Sequence, residues 1–331
     1  MGKSYKNSGV DIQAGEETVD RIKKLVKSTF SKNVLTGIGH FGALYELDLT
    51  NYKNPVMVSS VDGVGTKLKV AFMMNKHNTV GQDLVNHCVN DIAVCGADPL
   101  YFMDYLAFGK LFPDKAEKII EGFSIACGEN GVSLIGGETA EMPGLYDENE
   151  YDMSGTIVGI VDKENIIDGT NVKKGNLLFG FESTGLHTNG YSLARNVLFE
   201  KYNVNDIPEG FNKTIGEELL IVHKSYLKLI RILKSNLRVN AFSHITGGGI
   251  LGNTKRVVPD ALSMEINWNA WRLPPIFELI KNTGEIADDE MRNAFNLGIG
   301  LIAIVDEKDA DKLISASSSI NEKAILMGRI I

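Results

Sequence analysis

The sequence predicts an α/β protein (α+β mixed) built as two α/β domains. Three observations carry that expectation. Strand-like apolar runs alternate with segments of helical periodicity along the whole chain. At 331 residues the chain is longer than one hydrophobic core usually serves. A polar, turn-rich stretch, KENIIDGTNVKKG at 163–175, separates two halves, expected as domains 1–165 and 172–331. Each half holds a late strand of similar wording, TIVGIVDKE and LIAIVDEKD, too short a likeness to establish a repeat.

Each element has its own justification. Residues 15–29 read as a helix with Glu16 and Glu17 in its first turn and Lys23, Lys24 and Lys27 later, an arrangement matched to the helix dipole. A glycine-rich loop, TGIGHFGA, follows, and residues 43–49 and 55–62 read as strands. Residues 78–95 place Val80, Leu84, Val85, Cys88, Val89 and Ile92 at helical spacing. PLYFMDYLAFG is a strand, and the following helix opens at Pro113 and Asp114 and stops at Gly131. VSLIGGETA and MSGTIVGIVD are strands on either side of the acidic stretch EMPGLYDENEYD. In the second half, the strands are NLLFGFEST, NAFSHIT, LSMEINWN, GIGLIAIVD and KAILMGRII. Its helices are NGYSLARNVLFEKY, TIGEELLIVHKSYLKLIRILKS, PPIFELIKNTG, DDEMRNAFN and EKDADKLISAS.

Composition narrows the class of protein. A net charge of -8 argues against nucleic acid or an anionic membrane as a partner, although a local pocket for a nucleotide is compatible with it. The start MGKSYKNSGVDIQ has no apolar core of a signal peptide, and no run of 18 apolar residues occurs. The three cysteines, Cys88, Cys95 and Cys127, lie in apolar settings and form no C-x-x-C pair. A cytoplasmic protein with reduced thiols is expected.

Several stretches carry candidate chemistry. GIGHFG, residues 37–42, satisfies G-x-G-x-x-G, but polar SKNV precedes it and strand-like ALYELDL follows. A dinucleotide fingerprint needs a strand before and a helix after, so a loop over phosphates or a plain turn remain as readings. No Walker loop G-x-x-x-x-G-K-[ST] occurs, so any use of ATP needs another architecture. In VSSVDGVGTKLKV an apolar run ends at Asp62, followed by Gly63, Gly65, Thr66 and Lys67. A strand-end acid beside glycines can reach a metal, and lysine supplies a point charge for phosphate; the alternative is a turn whose Asp caps local amides. On the helix 78–95, Asp83, His87 and Asp91 fall along one face, which is either functional or simply solvated. Glu138, in GGETAEMPG, repeats the logic of Asp62, and Asp62, Asp91 and Glu138 together could gather two magnesium ions shared with substrate phosphates, the alternative being loop acids in water. His187, in STGLHTNGYS, sits among donors and suits proton transfer or a charge clamp. SHITGGGI adds His244 and three glycines before a helix, readable as an anion site or as a turn.

Together, SYKNSGVDIQAG, FGALYEL, VDGVGTKLKVA, VNDIAVCGADPLYFMDY, SLIGGETAEMPG, GLHTNGYSLAR and HITGGG resemble the phosphoribosylformylglycinamidine cyclo-ligase (AIR synthetase) family of purine biosynthesis. The match runs in order from Ser4 to beyond Arg256 and includes D-x-x-x-x-G-A-x-P as Asp91, Gly96, Ala97 and Pro99. The resemblance implies ATP-dependent cyclisation of formylglycinamidine ribonucleotide (FGAM) to aminoimidazole ribonucleotide (AIR), with release of ADP and phosphate. It implies a homodimer in which amino-terminal strands of two chains form a central barrel. Carried over by motif, Asp91, His187 and Asn189 are the catalytic residues, and Asp62, Asp91 and Glu138 are the Mg2+ ligands. Lys23, Asp62, Gly63, Gly65, Thr66 and Lys67 contact ATP, and Gly247, Gly248 and Gly249 bind the substrate's phosphate. The chain departs from the family pattern at His40 and Ser60 (where glycine is usual) and at Gly252 and Lys255 (where glutamate and proline are usual), while Asn253 and Arg256 keep it. Two other readings stay open at this point: a thiamine-monophosphate kinase-like or selenophosphate synthetase-like enzyme, and a non-catalytic nucleotide-binding assembly protein.

Overall fold

The structure is a computed structural model that describes residues 9–331. Part of SYKNSGVDIQAG, residues 4–8, lies outside the described residues. The chain forms two compact units. The first takes in the described residues to Ile92 together with Asp98–Asp162; the second comprises Ala93–Ala97 and Lys163–Ile331.

The first unit begins with α1 (Ile12–Lys27). It starts earlier than periodicity predicts, because the Asp11 carboxylate accepts the amide hydrogens of Gln13 and Ala14 and so caps the helix ahead of Glu16 and Glu17. Residues 43–49 do not become a strand. They make only an isolated bridge, Val34 to Tyr45, flanked by hydrogen bonds from the Leu35 amide to the Leu44 carbonyl and from the Glu46 amide to the Asn33 carbonyl. The glycine-rich loop is the tip of that short hairpin. Without a neighbouring strand to cover them, Leu44, Leu47 and Leu49 stay exposed.

β1 (Pro55–Gly63), α2 (Lys67–Met74), α3 (Asn78–Ala93), β2 (Asp98–Phe108), α4 (Pro113–Asn130), β3 (Ser133–Glu141) and β4 (Tyr151–Asp162) complete the unit. The sheet order is β1-β4-β2-β3. β2 and β3 run parallel, as the α4 crossover requires, and β4 pairs antiparallel with both β1 and β2. α4 ends at Gly131, whose φ of 68° forms the left-handed cap the sequence predicts. Leu84, Val85, Cys88, Phe102, Phe123 and Ile157 are buried in its core. The opposite aspect of the sheet is apolar without being covered: Met57, Val61 and Tyr105 are exposed.

The second unit holds β5 (Leu177–Glu182), α5 (Tyr191–Lys201), α6 (Ile215–Leu219), α7 (Leu227–Asn236), β6 (Ala241–His244), α8 (Gly249–Lys255), β7 (Met264–Ile266), α9 (Pro275–Thr283), α10 (Asp288–Ala294), β8 (Ile299–Val305), α11 (Ala310–Ser318) and β9 (Ile325–Ile330). Its sheet order is β6-β8-β5-β9-β7, antiparallel throughout. Leu178, Ile299, Ile302 and Ile304 are fully buried in its core. The helix expected over 214–235 is broken: residues 220–226 are not helical. α6 does start as predicted, with a capping box in which Thr214 and Glu217 satisfy each other's amides.

Among the described residues no helix is long and apolar enough to cross a membrane. Cys88, Cys95 and Cys127 are all free thiols.

Candidate active site

In the first unit the polar stripe of α3 is not a solvated face. Asp83, His87 and Asn90 are all buried, because the stripe is turned onto β1 and the start of α2. His87 Nε2 lies 2.9 Å from Asp62 Oδ2 and 3.7 Å from Asp91 Oδ2. The Ser60 hydroxyl donates to Asp91 Oδ2 at 3.0 Å. Period-two alternation on β1 puts Ser60 and Asp62 on one face of the strand, and the i, i+4 spacing on α3 stacks His87 above Asp91. Two carboxylates, one hydroxyl and one imidazole therefore converge from two elements.

The electrostatics are those of an ion pair. Burial works against a charge on His87, but the hydrogen bond to Asp62 and the charges of Asp91, Asp62 and Asp83 outweigh it, and its pKa is raised. Burial likewise opposes ionisation of Asp62. The hydrogen bond and charge of His87, with the Gly63 amide donating to Asp62 Oδ1 at 2.7 Å, overcome that and lower its pKa. Asp62 remains 42% exposed and Asp91 25%, so solvent reaches both carboxylates. Carboxylate and hydroxyl oxygens are the donor set a hard divalent cation prefers, and Asp62, Asp91 and Ser60 fit magnesium on that chemistry.

Glu138 does not join this group. It lies on β3, at the far edge from β1, with the in-register row Gly63–Ser154–Tyr105–Glu138 crossing the sheet. Three strand spacings, about 14 Å, separate it from the end of β1. Within one chain Glu138 therefore stands apart from Asp62 and Asp91. Glu138 instead lines a cavity of about 510 Å³ with Asp104, the glycine-rich loop, and the Val19, Ile22 and Val26 side of α1. Burial raises the Asp104 carboxyl to about 7. Sequence reading missed Asp104, since a lone acid inside the apolar strand LYFMDYLAF gives no periodic signal.

Lys67 is also placed differently from the expectation. It opens α2, its side chain is fully buried, and its ammonium lies 2.8 Å from Asp83 Oδ2. Burial lowers its pKa while Asp83 works in the opposite direction. Its charge is used inside the protein and is not presented to a ligand. Gly63, Gly65 and Thr66 form the turn between β1 and α2, with Thr66 at the helix N-cap. Lys23 is on α1, 48% exposed, and pairs with Asp20 at 2.6 Å.

In the second unit, the loops STGLHTNGYS and SHITGGGI are each tied down. His187 takes a left-handed φ of 63° and is buried. Its Nε2 accepts the Thr184 amide hydrogen at 3.2 Å. β8 makes room for the ring at Gly300, where a Cβ would lie 2.6 Å from His187 Cε1 and 2.1 Å from the Tyr226 hydroxyl. Asn189 donates to Thr188 Oγ1 at 3.4 Å. The His187 ring stacks on His223, centroids 3.9 Å apart and planes 16° apart, and His223 Nε2 lies 3.0 Å from His244 Nε2. His223 was not singled out by sequence; it lies within a helical pattern that the chain does not follow.

Gly247, Gly248 and Gly249 form the turn into α8, a helix of only 7 residues. Gly249 has φ of 64°, and a Cβ there would collide with the Arg292 carbonyl oxygen at 1.8 Å. The Asn253 amide donates to the carbonyls of Thr246, Gly247 and Gly249 at 3.2, 3.1 and 2.8 Å.

Comparison with known proteins places the chain. Residues 42–161 match the family described as AIR synthase related protein, N-terminal domain, and residues 173–331 match its C-terminal domain. The chain is 49% identical over 329 residues to phosphoribosylformylglycinamidine cyclo-ligase of Geotalea uraniireducens, covering 99% of this chain and 94% of that protein. It is 49% identical over 330 residues to the protein of the same name from Thermoanaerobacter pseudethanolicus, covering 99% and 97%. Among solved structures, a thiamine-monophosphate kinase from Stenotrophomonas maltophilia superposes with a TM-score of 0.70 at 18% identity, covering 95% of this chain and 93% of that one. The hydrogenase maturation protein HypE of E. coli does so with 0.67 at 16%, covering 94% and 90%. At such identities these structures speak for the fold alone. The near-full-length identity to proteins of one name, and the two matched domains, establish that this chain is an enzyme belonging to the phosphoribosylformylglycinamidine cyclo-ligase family.

Proposed function

We propose that the protein closes FGAM to AIR using ATP, releasing ADP and phosphate, in cytoplasmic purine biosynthesis. The observation that carries this reading is the 49% identity to proteins named for that ligation across 99% of the chain. A formyl oxygen is a poor leaving group. Transfer of the γ-phosphoryl group to it gives an iminophosphate; the amidine nitrogen then attacks the same carbon, forming the C–N bond as the C–O bond breaks and phosphate departs. One bound substrate holds both reacting ends, so ring closure gains the proximity of an intramolecular step.

The residues are assigned roles on the geometry above. Asp62 and Asp91 are proposed to hold magnesium, with Ser60 orienting Asp91 and His87 orienting Asp62. When bound, magnesium neutralises charge on the transferring phosphoryl group. Gly63, Gly65, Thr66 and Lys23 are proposed to face the nucleotide, and Glu138 and Asp104 the cavity below the glycine-rich loop. Lys67 holds Asp83 in place. His187 and Asn189 are proposed to act at the reacting formyl or amidine group, and the turn of Gly247, Gly248 and Gly249 to cradle the ribose phosphate. The exposed Met57, Val61 and Tyr105 support a homodimer that buries this sheet face.

The test is a coupled assay for ADP with FGAM, with and without magnesium. Substrate-dependent ADP and a product carrying the aminoimidazole ring are expected. The kinase fold likeness names the alternative to run beside it, thiamine monophosphate. ADP release with that compound and none with FGAM would exclude the cyclo-ligase reading. Nucleotide binding with no ADP from either compound would leave the non-catalytic assembly reading.

A further inference from the structure

We propose that His223 is a positioning residue for the reaction, holding the imidazoles of His187 and His244 in one buried array. The inference rests on the reading above, in which His187 acts on the substrate, and extends it to a side chain outside both motifs.

A single ring touches both motif loops. His223 is fully buried. Its face stacks on His187 at 3.9 Å. Its Nε2 meets His244 Nε2 at 3.0 Å, and its Nδ1 lies 3.4 Å from Thr188 Oγ1. His187 and Thr188 come from STGLHTNGYS, and His244 comes from SHITGGGI. The backbone is shaped to deliver this ring. The pattern over 214–235 is helical, yet the chain leaves the helix after Leu219 and resumes it at Leu227. The irregular segment is pinned on both sides of His223: the Thr184 hydroxyl donates to the Val222 carbonyl at 2.6 Å, and the Tyr226 hydroxyl donates to the Glu182 carbonyl at 2.8 Å. Giving up helical hydrogen bonds in a strong helical pattern needs a compensating arrangement, and the imidazole array is what the break delivers.

The geometry couples the tautomers. Two Nε2 atoms at hydrogen-bond distance need one proton between them. If His223 donates from Nε2, its Nδ1 accepts the Thr188 hydroxyl hydrogen. If His244 donates, His223 carries its proton on Nδ1 and donates to Thr188 Oγ1. In both arrangements the state of His223 sets the Nε2 of His244 and the direction of the Thr188 hydroxyl. The stack meanwhile fixes the plane of His187, whose Nε2 already accepts an amide hydrogen.

The experiment begins with the unaltered protein, labelled selectively with 15N-histidine. A coupling across an N–H···N hydrogen bond between two Nε2 atoms is expected, with one of the pair protonated. His223→Phe keeps a flat ring and removes both hydrogen bonds. It is expected to lose that signal and to lower kcat about 10–100-fold while the KM for ATP moves less than about twofold. His223→Gln, which restores a donor and acceptor near the Nε2 position, should recover part of kcat. Two uncoupled rings in the unaltered protein overturn the proposal, whether or not His223→Phe folds. So does a folded His223→Phe with normal kcat when His187→Asn has lost turnover. Normal turnover in His187→Asn overturns instead the active-site reading on which the inference rests.

Discussion

Lys67 and Asp83 form an ion pair at 2.8 Å in which neither side chain reaches solvent. The pair joins the first residue of α2 to the middle of α3, and so fixes the turn that carries Gly63, Gly65 and Thr66. A buried pair is not by itself a large source of stability, but removing one partner strands the other charge in the interior. Lys67→Met is therefore expected to destabilise the protein by about 3–5 kcal/mol in urea unfolding, and Lys67→Met with Asp83→Leu to recover much of that loss. A Lys67→Met protein of normal stability with a weakened KM for ATP would return Lys67 to the role of a phosphate contact.

Asp91 is held between Ser60 and His87. Asp91→Asn keeps the shape and removes the charge, so the fold should survive while turnover falls about 100-fold or more. Ser60→Gly removes the hydroxyl and should raise the magnesium concentration for half-maximal turnover about tenfold. Magnesium titrations of turnover check both; an unchanged magnesium response in Asp91→Asn would take Asp91 out of the metal site.

His187 occupies a left-handed backbone position, which asparagine tolerates better than alanine. His187→Asn is expected to lose about 1–2 kcal/mol through the lost stack and the space left behind. Its kcat should fall about 100-fold, far more than that destabilisation explains at the assay temperature. Kinetics and thermal melting of the same preparation separate the two effects, and a melting shift with unchanged kcat would make His187 structural.

Burial raises the Asp104 carboxyl to about 7. In the unfolded chain it titrates near the ordinary carboxylate value of about 4. Between those values the folded protein binds more protons than the unfolded one. The contribution to stability is therefore complete below about pH 4 and is lost as pH rises through 7. Because Asp104 lines a cavity, a loss on the order of 1–2 kcal/mol is expected by pH 8. Asp104→Asn removes the titration, so its stability relative to the unaltered protein should improve from pH 4 to pH 8. A constant difference across that range would mean that Asp104 titrates normally.

The sequence alone determined the succession of strands and helices wherever the signal is local. The stop of α4 at Gly131, the start of α6 after Thr214 and the strand end by Asp62 are all readable from a few neighbouring residues. The motif wording was enough to recognise the family, and to single out Asp62, Asp91 and His187. The tertiary structure decided what those residues meet. The strand expected over 43–49 has no partner to pair with, and the helix expected over 214–235 breaks where His223 is drawn beneath His187. Periodicity could mark the polar stripe of α3, but only packing against β1 and α2 made it a buried ion-pair network. Strand order separated Glu138 from Asp62, although both are acids beside glycines. Local pattern reports which backbone conformation a segment favours. Which side chains share one low-dielectric space is set by contacts between residues distant in sequence, and pKa shifts, ion pairs and stacked rings arise only there.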